Sequence, residues 1–247
     1  MTHRHPLLRL ALTLLCALMT CSAAAQRSVQ PVKFDKGSVS AAIKGRIQGD
    51  QYIDYQLRAA AGQRLQVSLS ASSHSAYFNV LPPESDNVAM FVGQTSGDRF
   101  EGLLPDDGIY ALRVYLVRAA ARRNEGSDFT LKISVTGKPL RPVSGKIDAR
   151  VPGTGYHATT TVPCQPQYSE ARQCEAGVIR RGFDGTGTVD LRWDQGGRRR
   201  ILFVAGKLAA TDTRGTASVK RDAQGSFIVD FEGGERFTIP ESLLFGG

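Results

Sequence analysis

The segment Arg118-Ala-Ala-Ala-Arg-Arg-Asn-Glu-Gly-Ser127 carries three arginines and no large apolar side chain, so it is not expected to be buried for packing. A guanidinium is a planar fork of donors that matches a carboxylate or phosphate through two parallel hydrogen bonds. If the segment makes one helical turn, the i,i+4 spacing of Arg118 and Arg122 puts both guanidiniums on one face. The chemistry on offer is recognition of an anion. Catalytic sets elsewhere are incomplete. His74 and His157 lie far apart, with neither the spaced ligands of a metal site nor the partner that a general base needs. His157, just before a strand, reads as a surface or strand-end histidine. Asp106 and Asp107 could pair as carboxylates, but Pro105-Asp106-Asp107-Gly108 reads better as a β-turn. No Gly-x-Ser-x-Gly elbow is present, and Gly182-Phe-Asp-Gly-Thr-Gly187 reads as a turn because no helix follows it. Arg198-Arg199-Arg200 fits either a charged strand edge or an anion site, with the solvated edge favoured. No catalytic residue, metal or cofactor is expected.

The elements that position the arginines are strands. Tyr110, Leu112, Val114 and Leu116 alternate with Ala111, Arg113, Tyr115 and Val117, and Phe129, Leu131, Ile133 and Val135 alternate with Thr130, Lys132 and Ser134. Such period-2 patterns mark strands with one buried face. The connection between them is longer than the two to five residues of an ordinary hairpin loop, and long anchored loops are where binding residues concentrate. Further strands are expected over 39–47, 50–57, 64–70, 76–81, 88–92 and 98–103, separated by turn signals such as Gly49-Asp50 and Pro82-Pro83. Many short strands at this spacing imply a sandwich or barrel. In 50–57 the phase of Ile53, Tyr55 and Leu57 faces the core, which leaves Tyr52 as an exposed aromatic beside a turn. Exposed Tyr together with Arg is the composition of interface anchors.

Pro, Gly and polar residues without periodicity mark 137–145 as a linker between a first domain, 26–136, and a second, 146–247. The second is also β-rich. Hairpins are expected for 187–194 with 199–205 and for 227–231 with 235–239, and 208–217 reads as a polar loop. The fold class is therefore all-β, an antiparallel, jelly-roll-like sandwich followed by a smaller β-rich domain. Residues 1–25 read as a signal peptide, with Arg4 and Arg9 before a short apolar run and Ala23-Ala24-Ala25 as the cleavage site. Cleavage after Ala25 is favoured over acylation of Cys21, because a lipobox prefers Gly, Ala or Ser where Thr20 stands. Without Arg4 and Arg9 the net charge falls from +8 to +6, a balance that suits an anionic partner. Nucleic acid is not expected after export, and no run after the leader is long enough to cross a membrane as a helix. Cys164 and Cys174, the cysteines left after such cleavage, are expected to form a disulfide in an oxidising compartment.

A resemblance adds to this reading. The stretch from Val32-Lys-Phe-Asp-Lys-Gly37 to Phe129-Thr-Leu-Lys-Ile133 resembles the bacterial periplasmic inhibitors of g-type (goose-type) lysozyme. The residues that carry it are Asp50-Gln-Tyr-Ile-Asp-Tyr55, Ala76-Tyr-Phe-Asn79, Pro82-Pro83, Gly93-Gln-Thr-Ser-Gly-Asp-Arg-Phe-Glu-Gly102 and Arg113-Val-Tyr-Leu-Val-Arg-Ala-Ala-Ala-Arg-Arg-Asn124. The resemblance implies a compact antiparallel β-sandwich whose edge loops plug the peptidoglycan groove of a g-type lysozyme. It implies contact roles for Tyr52, Arg118 and Arg122; Tyr55 is the competing match for the tyrosine, and strand phase selects Tyr52. It does not reach residues 140–247, which look like an uncharacterised domain of exported bacterial proteins. Three functions remain open on sequence: a periplasmic inhibitor, a module binding peptidoglycan or another cell-wall carbohydrate, and an enzyme whose site lies in the second domain.

Overall fold

Side chains that alternate between apolar and polar can bury one face of a strand only if a second sheet covers it. In the computed structural model, which describes residues 27–85 and 87–246, two sheets do this for the first half of the chain. The expected leader, its cleavage point and Cys21 lie outside the described residues. The elements are β1 (Arg27–Pro31), β2 (Ser40–Gln48), β3 (Tyr52–Ala59), β4 (Arg64–Ala71), β5 (Ala76–Leu81), β6 (Phe91–Val92), the short turn α1 (Gly93–Ser96), β7 (Arg99–Leu103), β8 (Gly108–Leu116), α2 (Arg118–Arg122) and β9 (Gly126–Thr136). One sheet has the order β1-β3-β8-β5-β6 and the other β2-β9-β4-β7. Their inner faces share a core that includes Tyr55, Leu57, Leu65, Phe78, Leu112, Val114, Phe129 and Leu131. The expected strands match closely, with two differences. Only the last two residues of 88–92 pair as β6, and β1 was not anticipated. β1 runs parallel to β3, so the sandwich is not wholly antiparallel.

The second half holds β10 (Ala158–Gln165), β11 (Gln173–Arg180), β12 (Gly187–Arg192), β13 (Arg198–Val204), β14 (Lys207–Thr211), β15 (Ala217–Arg221), β16 (Phe227–Phe231), β17 (Arg236–Ile239) and the turn α3 (Glu241–Phe245). They form one sheet in the order β14-β13-β12-β11-β10-β17-β16-β15, which curls until its end strands β14 and β15 touch. Val178, Val189, Leu191, Ile201, Phe203, Phe227, Val229 and Phe237 fill the interior. Both expected hairpins form, β12 with β13 and β16 with β17. The expected loop 208–217 is corrected: β14 pairs with β13 there, because the neighbouring strand supplies ladder partners that a weak local pattern cannot announce.

Cys164 and Cys174 are bonded, with Cα atoms 5.8 Å apart, where β10 pairs with β11. Cross-linking so short a loop constrains the unfolded chain by about 2–3 kcal/mol. Reduction is expected to lower the unfolding free energy by that amount, read by denaturant melts with and without a thiol reductant. Two reactive thiols per denatured, non-reduced chain would refute the bond.

The arginine run is neither a solvated edge nor an anion site. β13 is an inner strand, and all three guanidiniums are committed to carboxylates. Arg199 points inward with Ile201 and Phe203 and takes Glu235 through two bonds of 2.9 and 2.8 Å. Arg198 and Arg200 point outward, where the sandwich replaces solvent. Arg198 binds Asp190 at 2.7 and 2.6 Å and reaches Glu84 at 2.6 Å. Arg200 pairs with Asp212 at 3.2 Å and Asp106 at 3.3 Å and donates to Pro83 O at 2.9 Å. Arg181 adds bonds to Asp106, Asp107 and Leu140 O. Asp106 and Asp107 thus sit in the expected turn, but their carboxylates dock the curled sheet onto the sandwich. His157 is likewise corrected: it is buried, accepts from Arg180 N–H at Nδ1 and donates from Nε2 to Val143 O, both at 3.0 Å. Those two bonds fix the connecting segment to β11.

Candidate functional site

α2 is a single helical turn, and its stability comes from what it buries. Ala120 and Ala121 pack into the sandwich core, which corrects the expectation that nothing in this segment is buried: two small side chains do the anchoring. The turn ends at Asn124, whose φ of 54° is left-handed, a conformation Asn tolerates. The β2–β3 turn braces it from the side. Gly49 N–H donates to Glu125 O at 2.9 Å, and a Cβ on Gly49 would lie 2.7 Å from the Asn124 side chain. Only glycine allows this approach, since Gly49 also has a φ of 57°.

The arginines project from this anchored base. Arg118 and Arg122 are exposed, and among the described residues neither has an ion-pair or side-chain hydrogen-bond partner. Arg123 is spent on Glu125 at 2.7 Å. Arg118 forms one wall of a shallow hollow of about 380 Å³, together with Asp50, Tyr52, Asn79, Gln94 and Tyr115. Arg122, at the far end of the turn, is not part of that wall. The structure therefore brings Arg118 and Tyr52 to one hollow and holds Arg122 on the same turn beside it.

Tyr55 points inward, 1% exposed, as strand phase requires. Tyr52 points outward but is half-buried and not free, a correction to its expected exposure. The Arg113 guanidinium lies 4.6 Å from its ring centroid. Register explains the contact: Tyr52 faces Tyr115 and Asp54 faces Arg113 across β3 and β8. Tyr77 of β5 faces Tyr115 in turn, so three tyrosines cross the outer surface of the sheet in one row. Burial pushes the Tyr115 hydroxyl pKa up. Arg113, Tyr115, Asn79 and Gln94 were not singled out from sequence. The alternation already put Arg113 and Tyr115 outward, but the register that joins them to Tyr52 carries no local signal.

β8 starts at the Asp106–Asp107 turn and ends at α2, and β3 runs the opposite way from Tyr52 to Ala59. Nine residues of strand separate the two ends by about 30 Å. The curled sheet docks at the first end, so it leaves the arginine turn uncovered. Of the other candidates, His74 is exposed, and among the described residues no group of His, Cys, Asp and Glu could hold a metal ion. No helix among them is long and apolar enough to cross a membrane.

No family model matches the chain. A curated inhibitor of g-type lysozyme from Escherichia coli K12 is 33% identical over 129 residues, which is 52% of this chain and 96% of that protein. The crystal structure of PliG from Aeromonas hydrophila, a periplasmic inhibitor of g-type lysozyme, is 36% identical over 46% of this chain and all of its own, with a TM-score of 0.43. That of Salmonella Typhimurium PliG is 29% identical over 44% of this chain and 98% of its own, with a TM-score of 0.35. The similarity to the curated relative lies in the N-terminal half of this chain.

Proposed function

We propose that this chain, which belongs to the family of inhibitors of g-type lysozyme, inhibits a g-type lysozyme in the periplasm by seating the Arg118–Arg122 turn, with Tyr52 beside it, in the enzyme's substrate groove. As a member of a family of inhibitors it is a binding protein and not an enzyme. One observation carries the reading: two guanidiniums without partners among the described residues stand on a turn anchored in the core. A glycosidase groove holds the carboxylic acid that protonates the leaving oxygen, and usually a second carboxylate. An unpaired guanidinium complements that field and speeds encounter, and a bidentate bond to a carboxylate out of water is strong. Because α2 is pinned through Ala120, Ala121 and Gly49, docking orders little that was not already ordered.

The test is lysis of a peptidoglycan suspension by g-type and by chicken-type lysozyme, each with the full chain in excess. Clearing stops with the g-type enzyme and continues with the other. Undiminished clearing by g-type enzymes would refute the proposal. Retention of the chain on peptidoglycan under those conditions would favour a wall-binding role instead.

A further inference from the structure

Asp54 lies on the outer face of the sheet, where strand phase predicts solvent, yet it is 0% exposed. A carboxylate can be buried there only if cations replace its water. Arg113 supplies two hydrogen bonds, Nε to Oδ1 at 2.6 Å and Nη2 to Oδ2 at 2.9 Å, and Arg27 of β1 approaches Oδ2 at 2.9 Å. The bidentate bond fixes the plane of the Arg113 guanidinium, since a planar fork held at two points cannot rotate. That fixed plane lies against the Tyr52 ring, diagonal to it across β3 and β8. Arg113 is mostly buried, with 17% of its side chain exposed, whereas Arg118 and Arg122 are exposed.

From this arrangement we infer that Arg113 is a positioning residue: oriented by Asp54, it holds the Tyr52 ring in the attitude that meets the lysozyme, and it does not itself serve as a recognition arginine. The inference rests on the proposed function. The sequence motif contains three arginines besides Arg113 between 113 and 123, and only the geometry separates their duties. Arg123 is paired with its neighbour Glu125, Arg113 is turned onto Tyr52 and Asp54, and Arg118 and Arg122 are left for a partner. Tyr52 needs such a support. It stands at the start of β3 beside a turn, and an unsupported ring there would lose rotamer freedom on docking. A cation stacked on the ring removes that freedom in advance.

The test is a double-mutant cycle on the full chain, read as the inhibition constant against a g-type lysozyme. R113A is expected to weaken inhibition about tenfold, the scale of a desolvated cation–π contact. The pair R113A/Y52A is expected to be no weaker than Y52A alone, whereas R113A/R118A shows both losses. R113K keeps the charge but not the fork and should behave like R113A. D54N should fall between R113A and the wild type. Additive losses in R113A/Y52A would overturn the inference, because they mean that Arg113 meets the enzyme independently of Tyr52. So would wild-type inhibition by R113A in a background where Y52A is impaired. A second readout needs no lysozyme and so separates failure of this inference from failure of the proposed function. In the free protein the Tyr52 ring proton resonances should move toward unfolded-chain values in both R113A and R113K, and unchanged resonances would overturn the positioning role.

Discussion

A chain in which Arg118 and Arg122 are both alanine is expected to fold as the wild type does and to lose inhibition. Folding is unaffected because neither side chain has a hydrogen-bond or ion-pair partner among the described residues. α2 is kept in place by buried Ala120 and Ala121 and by the Gly49 N–H bond to Glu125 O, none of which involves a guanidinium. Alanine is also the best helix former for an exposed turn, so melting should change by less than about 0.5 kcal/mol. Binding is where the loss falls. Each single variant should lose about 2 kcal/mol or more if its arginine enters a water-excluded groove, and the two losses need not add, because the groove acids are shared. R118K and R122K should recover only part of the loss, since an ammonium cannot make the planar two-point bond. The inhibition constant and the thermal melt, measured for the two single variants and the double one, decide the matter. Wild-type inhibition by both single variants would remove the site, whatever the whole protein turned out to inhibit.

Why this turn could be read from sequence, and other features could not, follows from what periodicity encodes. Alternation reports which residues share a strand face, so the inward Tyr55 and outward Tyr52 were legible in 50–57, as were the strands that end on either side of α2. The same alternation is silent about what covers an outward face. Tyr52 and Asp54 share the outward phase, but Arg113 reaches over both because β3 and β8 pair in one particular register. Arg198 and Arg200 are outward too, and the docking of sandwich on curled sheet buries Arg200 and partly covers Arg198. The burial of His157 is hidden from sequence for a related reason: its partners, Val143 O and Arg180 N–H, are backbone groups, and backbone groups leave no mark in a sequence pattern. β1 has neither alternation nor buried residues, so nothing local announces that it will pair with β3.

Arg200→Ala is expected to destabilise the protein by about 3 kcal/mol while leaving inhibition intact at temperatures where the variant is folded. The Arg200 side chain is 2% exposed, among the largest fully buried groups of the chain. Its loss leaves Pro83 O without its donor and takes one cation from Asp106 and one from Asp212. The cost stays near the lower end of the range for a broken buried pair because each carboxylate keeps another arginine, Arg181 on Asp106 and Arg199 on Asp212. The deficit should also depend on pH, with a sign that the geometry fixes. Burial raises the Asp106 carboxyl pKa, and the charges of Arg200 and Arg181 only partly oppose that rise. A folded pKa above the unfolded one means that the folded protein gains protons as pH falls, so the ionised form is the costly one near neutrality. Removing Arg200 raises this pKa further, and Asp106 of the variant is protonated first on acidification. The stability gap between variant and wild type should therefore narrow as pH is lowered toward the carboxylate range. Glu84 and Asp190 act in the other direction in both proteins. The Arg198 hydrogen bond lowers Glu84, and burial of Asp190 is outweighed by hydrogen bonds from Arg198 and Tyr156, so their contribution is present above the unfolded pKa and is lost as pH falls through the folded one. The Asp190 loss is common to both chains and cancels in the difference, whereas Glu84 also feels the charge of Arg200, 3.8 Å away, so the variant has less to lose there and the gap narrows in the same direction. Denaturant melts of the variant and the wild type across that pH range test the account: a gap that is absent at neutral pH, or that widens with acid, would mean that Arg200 and Asp106 do not hold the two halves together.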